Sequence, residues 1–396
     1  MERKERNNGN SLDRTLGCIV GGAAGDALGY PVEFLSWSQI QKSFGAKGIC
    51  NYQLDGRGLA PISDDTQMTL FTAAGILLGL TRGYMRGIMA RIDTYCQWSY
   101  LDWLHTQDWT SRHNDARIDS WLMDVPELYA RRAPGNTCLS ALRALEKKIP
   151  VENDSCGCGG VMRTAPIALL CYLHGNSGDQ DYRDMSAAEA ARITHKHPLG
   201  FLPSAVLNRI LMRIMAESAE SGEHLSTIIE DSITALPGIK SYEDHNNTYG
   251  YLWPWHVTKL QDIIRKAIDL AHSDIPDVKA IESIGGGWTG HEALAIAVYS
   301  AVKHSTSFED AIVSAVNHSG DSDSTGAVCG NIVGCLLGRN AIPAKFTSNL
   351  ELIDVIEEIA QDIWTGCIIY EYDPIDTEEK NRWYWKYVKH RREPQP

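Results

Sequence analysis

The chain has 396 residues, of which 43% are hydrophobic, and a formal net charge of −13 at pH 7. That length allows one large domain or two, and the composition is that of a globular protein able to bury a large core. The negative charge argues against a nucleic-acid or anionic-membrane surface, because such surfaces require a basic stripe. An anionic ligand would therefore be held locally, by a metal ion or by backbone N–H groups.

The cysteines and the N-terminal residues predict a cytoplasmic protein. Ten cysteines are scattered along the chain without C-x-x-C spacing, and Met1 to Asn10 are polar and form no apolar leader. Both features favour a reducing compartment. The longest apolar stretches, such as Ala73 to Leu80, are shorter than the roughly 20 residues that a membrane span requires. We therefore predict no membrane partner and no nucleic-acid partner.

Helical periodicity dominates the chain, which predicts an all-α fold. No linker divides the series, so we expect a single compact multi-helix domain over residues 12–370, preceded by a mobile arm (1–11) and followed by a tail (371–396). The predicted helices are Leu12–Leu28, Gln67–Thr81, Met85–Leu104, Thr137–Lys148, Val161–Leu173, Ala187–Thr194, Gly200–Ala219, Leu225–Leu236, Trp255–Ala271, His291–His304, Phe308–Asn317, Ser324–Leu337 and Asn349–Tyr370.

The first predicted helix is rich in small residues from Gly21 to Gly25, which allow another helix to approach closely. Asp26 is out of place in such a surface. If it is buried, it needs a hydroxyl, a backbone N–H or a basic group as partner. Glu33 follows a proline-containing turn and is free to face a cleft, although a solvated surface acid is the simpler alternative.

Two acidic couplets, Ser63-Asp64-Asp65-Thr66 and Asp321-Ser322-Asp323-Ser324, lie near opposite ends of the chain and each opens an apolar helix. Carboxylates this close repel one another unless a cation or shared protons neutralise them. Their oxygen donors suit Mg²⁺, Mn²⁺ or Ca²⁺ better than Zn²⁺, and four aspartates would balance two divalent cations. Alternatively, Ser63 and Asp323 are helix N-caps with acids in the first turn.

Two glycine-rich loops offer further chemistry. The loop from Asp154 to Arg163 leads into a predicted helix, so its backbone N–H groups could approach an anion; the alternative is a flexible connection. The second loop runs from Gly285 to Glu292. Its Thr289 and Glu292 have the spacing of a capping box, which predicts a structural role for Glu292.

His195 and His197 could be read as metal ligands, but side chains two positions apart on a helix point in different directions. One of them is predicted to form a hydrogen bond near the ligand. The other is predicted to be an ordinary surface or core residue.

In combination and in this order, six segments resemble the ADP-ribosylglycohydrolases. The segments are Gly22–Phe34, Ile62–Leu70, Gly157–Leu170, Ile193–Leu199, Gly285–Tyr299 and Gly320–Leu337. The resemblance implies a compact all-α domain whose central cleft holds two Mg²⁺ or Mn²⁺ ions. It also implies a hydrolase that removes ADP-ribose from modified protein side chains, with arginine as the linkage.

The resemblance also implies roles for individual residues. The metal ligands would be Ser63, Asp64, Asp65, Asp321, Asp323 and Ser324. The groups around the diphosphate and nucleotide would be Gly157, Cys158, Gly159, Gly160 and His195. Asp321 would also position the attacking water, and the acid/base candidates would be Glu33 and Asp154.

Two alternatives stay open. The chain could be a non-catalytic relative that only binds ADP-ribose or serves as a structural protein. It could also be an immunity protein that reverses or blocks an ADP-ribosylating toxin, with the N-terminal arm and segments 106–135 and 240–255 as partner surface. The predicted partner of an active enzyme is an ADP-ribosylated protein.

Overall fold

The structure is a computed structural model and describes residues 9–87, 90–108, 119–175, 180–217, 222–236 and 253–389. The predicted all-α fold is confirmed. Within the described ranges, β-pairing is limited to two isolated bridges, Ala60 with Leu350 and Gly157 with Thr289. The helices are α1 (Gly9–Gly29), α2 (Trp37–Phe44), α3 (Asp64–Arg86), α4 (Ile92–Asp108), α5 (Asn136–Glu146), α6 (Ala165–His174), α7 (Gln180–Arg192), α8 (Pro198–Ala216), α9 (Gly222–Thr234), α10 (Trp253–Ala271), α11 (Asp277–Ile284), α12 (Gly290–Lys303), α13 (Phe308–Val316), α14 (Ser322–Leu337), α15 (Ile353–Thr365) and α16 (Glu378–Tyr384).

Helices α1 and α14 pack backbone against backbone along a glycine stripe, which comprises Gly17, Gly21 and Gly25 on α1 and Gly326, Gly330 and Gly334 on α14. A Cβ added to the three α1 glycines would lie 2.1, 2.4 and 2.0 Å from the carbonyl oxygens of Gly334, Gly330 and Gly326, respectively. Residue numbers on α14 fall from 334 to 326 as those on α1 rise from 17 to 25, so the two helices run antiparallel. The C-terminal end of α1 therefore lies beside the N-terminal end of α14.

Three short helices were missed by the sequence prediction, namely α2, α11 and α16, which have 8, 8 and 7 residues. Such lengths give too few turns for a clear apolar period. The predicted start of helix Met85–Leu104 is wrong, because α3 extends to Arg86. Gly87 then ends α3 in the left-handed conformation that is typical of a helix C-cap. Helix α4 begins only at Ile92.

The ends of the described chain pack on the domain. Helix α1 already begins at Gly9, and Ser11 is buried and accepts a hydrogen bond from Trp364 Nε1 at 3.0 Å. In the tail, the Trp383 indole donates to the Thr81 hydroxyl on α3 at 3.0 Å. The rest of the predicted arm (residues 1–8) and parts of the other two predicted partner segments (residues 109–118 and 240–252) lie outside the described residues.

One described helix, α8, is long and apolar enough to cross a membrane by length and composition. Its most apolar window has a mean hydropathy of 1.3, and 83% of that window is buried inside the protein. The core helix of a globular domain has the same composition.

Candidate metal centre

Asp26 connects α1 to the start of α3. Its carboxylate is fully buried and accepts hydrogen bonds from the backbone N–H of Ser63 and of Thr66, each at 3.1 Å. It also accepts the Thr66 hydroxyl. The sequence expectation that Asp26 needs a hydroxyl or backbone partner is thus met, and the bonds hold the first acidic couplet against the end of α1.

The first couplet lies at the N-terminus of α3. Ser63 is the N-cap, and its hydroxyl accepts the Asp65 N–H at 3.1 Å, as the capping alternative predicted. Asp64 and Asp65 are buried in the first turn, where the helix dipole favours negative charge. Yet Asp65 Oδ2 is buried without a hydrogen-bond partner. A cap alone does not explain that oxygen, which leaves it available to a cation.

The loop before the first couplet is fixed by Glu351. This buried carboxylate pairs with Arg57 and with Arg132, the latter at 3.1 Å, and accepts the Ile62 N–H at 3.2 Å. The Ala60 N–H donates to the Asn349 carbonyl at 2.7 Å. The residues ahead of Ser63 therefore have a defined path to the centre.

The second couplet begins α14. Asp321, rather than Asp323, is the N-cap, and its carboxylate accepts the Ser324 N–H at 3.3 Å. The other Asp321 oxygen accepts the Cys158 thiol at 2.8 Å. Asp323 and Ser324 are buried in the first turn. Cys158 thus connects the glycine-rich loop directly to the acidic couplet, a contact that the sequence did not predict.

The Glu33 carboxylate lies beside the second couplet. One carboxylate oxygen from each of Glu33, Asp321 and Asp323 lies within 4.8 Å of the others. Glu33 Oε2 is buried and has no hydrogen-bond partner. The position follows from the antiparallel helix pair, because Glu33 comes just after the end of α1 and Asp321 just before the start of α14.

The charges of the two couplets act on one another. Burial raises the pKa of Asp65 well above its usual value, and Asp323 and Asp64 add to the effect. Burial raises the pKa of Asp64, and the charge of Asp323 raises it further. Burial likewise raises the pKa of Asp323, and the charge of Asp321 adds to that effect. Residues distant in sequence thus form one buried acidic cluster, which we define as Asp26, Glu33, Asp64, Asp65, Asp321 and Asp323.

The cluster suits divalent cations. Its donors are carboxylate and hydroxyl oxygens, as hard cations prefer, and two of the carboxylate oxygens lack hydrogen-bond partners. A cation would neutralise the repulsion that otherwise drives these groups to take up protons. The residues present therefore fit the metal ions that the resemblance implies.

We expect the contribution of the cluster to metal-free stability to fall as pH rises. Burial and Asp323 raise the pKa of Asp26 to about 7, and burial with the charges of Asp323, Asp321 and Asp64 raises that of Glu33 to about 10. The folded protein therefore holds protons that the unfolded chain releases above about pH 4, so the stabilisation is lost as pH rises through the folded pKa values.

A cation displaces those protons, so Mg²⁺ should raise the thermal midpoint more at about pH 8 than at about pH 5.5. Thermal unfolding with EDTA and with Mg²⁺ at both pH values measures the difference. A shift of equal size at both values would contradict the expectation.

The glycine-rich loop forms a short 3₁₀ turn over Cys158–Gly160 rather than leading straight into a helix, and α6 begins only at Ala165. The Cys158 N–H donates to the Trp288 carbonyl at 3.2 Å, so the two glycine-rich loops lie side by side. Gly160 sits against the backbone of Gly200, where an added Cβ would lie 2.4 Å from the carbonyl oxygen. This close packing requires glycine.

His195 lies behind the glycine-rich loop. It is buried, and a Cβ added to Gly159 would lie 2.9 Å from its Cε1. Its Nδ1 shares a hydrogen bond with the Thr194 hydroxyl at 2.9 Å, and that oxygen accepts Arg163 Nη2 at 2.7 Å. Burial and the Arg163 charge lower the pKa of His195 to about 3, so the ring is neutral at physiological pH.

Arg163 was not recognised from the sequence, although it ends the glycine-rich loop. Its guanidinium is fully buried, 4.4 Å above the Tyr100 ring, and within the described residues no carboxylate pairs with it. Its remaining contacts include the Cys138 sulfur at 3.3 Å. Such a group fixes the surrounding helices and orients His195 through Thr194.

Other predicted residues lie outside the cluster. Asp154 is exposed, and its charge acts on His197. His197 caps α8, where its Nδ1 accepts the Leu199 N–H at 3.0 Å, in agreement with a structural role for one of the two histidines. The capping box at Thr289 is wrong, because the Thr289 hydroxyl makes no cap hydrogen bond.

Fold and centre together define an all-α protein with a buried acidic site beside a glycine-rich loop, an arrangement suited to hydrolysis assisted by cations. Residues 7–370 match the family ADP-ribosylglycohydrolase, and the chain belongs to this family. Membership supports ADP-ribosyl hydrolase activity in general.

Relatives span most of the chain. The ADP-ribosyl-[dinitrogen reductase] glycohydrolase of Rhodospirillum rubrum is 25% identical over 350 residues, which cover 86% of this chain and 91% of that protein. The ADP-ribosylhydrolase ARH1 of Dictyostelium discoideum is 25% identical over 281 residues, covering 59% and 69% of the respective chains. An uncharacterised protein of Archaeoglobus fulgidus is 24% identical over 366 residues, covering 92% and 97%.

A solved structure described as an ADP-ribosylglycohydrolase-related protein complex has the same fold. Its TM-score is 0.60 at 22% sequence identity, and the match covers 90% of this chain and 99% of that one.

Proposed function

We propose that the protein is a metal-dependent hydrolase that removes ADP-ribose from modified protein side chains, with arginine as the acceptor. The observation that carries the proposal is the buried acidic cluster beside the glycine-rich loop in a chain that matches the family over residues 7–370. The names of two relatives, an ADP-ribosylhydrolase and a glycohydrolase of ADP-ribosylated dinitrogen reductase, support it.

Two Mg²⁺ or Mn²⁺ ions are the proposed cofactors. The residues that would hold them are Ser63, Asp64, Asp65, Asp321, Asp323 and Ser324. Bound cations would neutralise these carboxylates and act as Lewis acids toward the ribose hydroxyls and water. Glu33 lies close enough to Asp321 and Asp323 to contact the same centre.

The reaction is hydrolysis of an N-glycosidic bond. A bond forms between water oxygen and the ribose C1″, the bond from C1″ to the guanidino nitrogen breaks, and the proton lost by water is balanced by protonation of that nitrogen. Asp321 orients the water, and Glu33 moves the proton. Asp154 is the weaker acid/base candidate, because it is exposed and outside the acidic cluster.

The glycine-rich loop is proposed to hold the diphosphate. Backbone N–H groups of a tight glycine turn can approach an anion closely. A neutral His195 beside the loop can contribute a hydrogen bond without a fixed charge. The buried Arg163 adds positive potential behind the loop without reaching the surface.

A substrate panel tests the function. Purified protein is incubated with arginine-linked, serine-linked and O-acetyl-ADP-ribose substrates, with Mg²⁺ and with EDTA, and released ADP-ribose is measured. We expect Mg²⁺-dependent release from the arginine-linked substrate, and Glu33→Gln should reduce it by about 10²-fold or more. A protein that binds ADP-ribose but releases none from any substrate would instead be a non-catalytic relative.

The toxin-immunity alternative stays a prediction from sequence. Part of each segment proposed as partner surface lies outside the described residues, and no observation on the described parts favours a toxin over another modified protein.

A further inference from the structure

Two aromatic side chains stand exposed near the acidic cluster. Phe34 is 66% exposed and Trp288 is 43% exposed, and their rings stack with centroids 5.2 Å apart and planes inclined by 25°. We refer to Phe34 and Trp288 as the aromatic pair. Large aromatic rings that stack on each other in solvent form a small apolar surface, and such surfaces commonly mark binding sites.

Both members of the aromatic pair are chain neighbours of groups at the centre. Phe34 follows Glu33, whose carboxylate lies within 4.8 Å of Asp321 and Asp323. Trp288 follows Gly287, where an added Cβ would lie 3.4 Å from the Asp321 Cβ. The pair therefore lies at the rim of the acidic cluster, with one ring on each of two converging loops.

The backbone holds both rings in place. Phe34 has a φ of 67°, a left-handed conformation that is unfavourable for an aromatic residue and is kept where the surroundings or a function require it. The Trp288 carbonyl accepts the Cys158 N–H at 3.2 Å, which ties the backbone of Trp288 to the glycine-rich loop. An open pocket next to Phe34, lined also by Leu54 and Pro61, leaves room for a side chain that projects from a larger substrate.

We propose that the aromatic pair binds the acceptor side chain of the ADP-ribosylated protein and favours a planar guanidinium. This inference rests on the proposed function and specifies its acceptor. A guanidinium is planar, cationic and weakly hydrated, so it stacks well on aromatic rings. A serine acceptor has no planar group to stack, so the pair would discriminate between the two linkages.

The test uses steady-state kinetics with an arginine-linked ADP-ribosyl peptide. We expect Trp288→Leu and Phe34→Leu each to raise KM about 3- to 30-fold with a much smaller change in kcat, because stacking of a cation on an aromatic ring contributes on that scale. Trp288→Phe should restore a KM near the wild-type value. Trp385→Leu, at a ring that is 56% exposed on the C-terminal segment, is the matched control and should leave both parameters unchanged.

Binding of free ADP-ribose separates acceptor recognition from nucleotide recognition. Its Kd should change by less than about twofold in Trp288→Leu, since free ADP-ribose carries no acceptor. An ADP-ribose Kd that rises as much as KM would overturn the inference, because the pair would then serve the nucleotide. An unchanged KM in both leucine variants would overturn it as well.

Failure of the proposed function gives a different result. If the wild-type protein releases no ADP-ribose from any substrate, titration of the same arginine-linked peptide and of free ADP-ribose still measures the two affinities. A tighter Kd for the peptide that is lost in Trp288→Leu supports acceptor binding without turnover. Equal Kd values for peptide and free ADP-ribose in the wild type reject it.

Discussion

Asp323→Asn should abolish turnover and, in metal-free buffer near pH 8, stabilise the protein. Asp323 approaches Glu33 and Asp321, and burial with the Asp321 charge raises its pKa well above the usual value. An uncharged amide of the same shape removes repulsion and keeps an oxygen for the Ser324 N–H, which Asp323 accepts at 3.0 Å. The same amide is a poor metal ligand, so kcat/KM should fall by about a thousandfold or more.

Thermal unfolding and ADP-ribose release measure the two effects separately. The midpoint in EDTA should lie above that of the wild type, whereas the rise caused by Mg²⁺ should shrink. Asp65→Ala should show the same loss of turnover with the fold retained, because Asp65 Oδ2 has no hydrogen-bond partner to lose. Asp376→Asn, at a surface acid of the tail, is the control and should change neither quantity. Full activity of Asp323→Asn after removal of bound metal would refute the metal assignment.

Gly25→Ala should prevent folding or weaken it severely. The added Cβ would lie 2.0 Å from the Gly326 carbonyl oxygen and 2.4 Å from its carbon, and both atoms belong to the backbone of a buried helix. No side-chain rearrangement relieves that overlap, so the two helices must separate along the glycine stripe. We expect a loss of about 3 kcal/mol or more, the upper end for overpacking of a core.

Soluble yield and the thermal midpoint of the purified variant measure the loss. Gly56→Ala is the matched control, because nothing lies within 4 Å of an added Cβ at that position. A Gly25→Ala protein that unfolds at the wild-type temperature would show that the helices adjust more easily than backbone contact suggests.

Much of the fold followed from sequence because long buried helices repeat their apolar pattern several times. The four-residue spacing of Gly17, Gly21 and Gly25, matched by Gly326, Gly330 and Gly334, also predicts a close helix pair in retrospect. The small residues of the first helix predict that another helix packs closely against it, but they do not identify that helix. Recognising that partner would have placed Glu33 beside Asp321 without any resemblance to a family.

Other features of the site could not be predicted from a single sequence, because they depend on contacts between residues that are distant along the chain or on an unusual backbone conformation. Asp26 could be predicted to need partners, but not that those partners would be the N–H groups that begin α3. In the sequence Arg163 resembles any arginine near a helix start, but in the structure its guanidinium contacts residues on α3, α4, α5 and α7. The aromatic pair depends on the left-handed backbone of Phe34, which no residue pattern indicates for a phenylalanine.

The glycine stripe has a consequence for the choice of ion. Helix α14, which begins just after Asp321, is held to α1 by backbone contact along the glycine stripe and by the Asn331 amide, which donates to the Cys18 carbonyl at 2.8 Å. Helix α1 in turn holds α3 through Asp26, so the frame around the centre rests on close backbone contact and buried hydrogen bonds. Ca²⁺ takes oxygen ligands at about 2.3–2.6 Å and Mg²⁺ at about 2.0–2.1 Å. We expect a frame this stiff to favour the ion of smaller radius, and a change of preference to require new loops rather than new core residues.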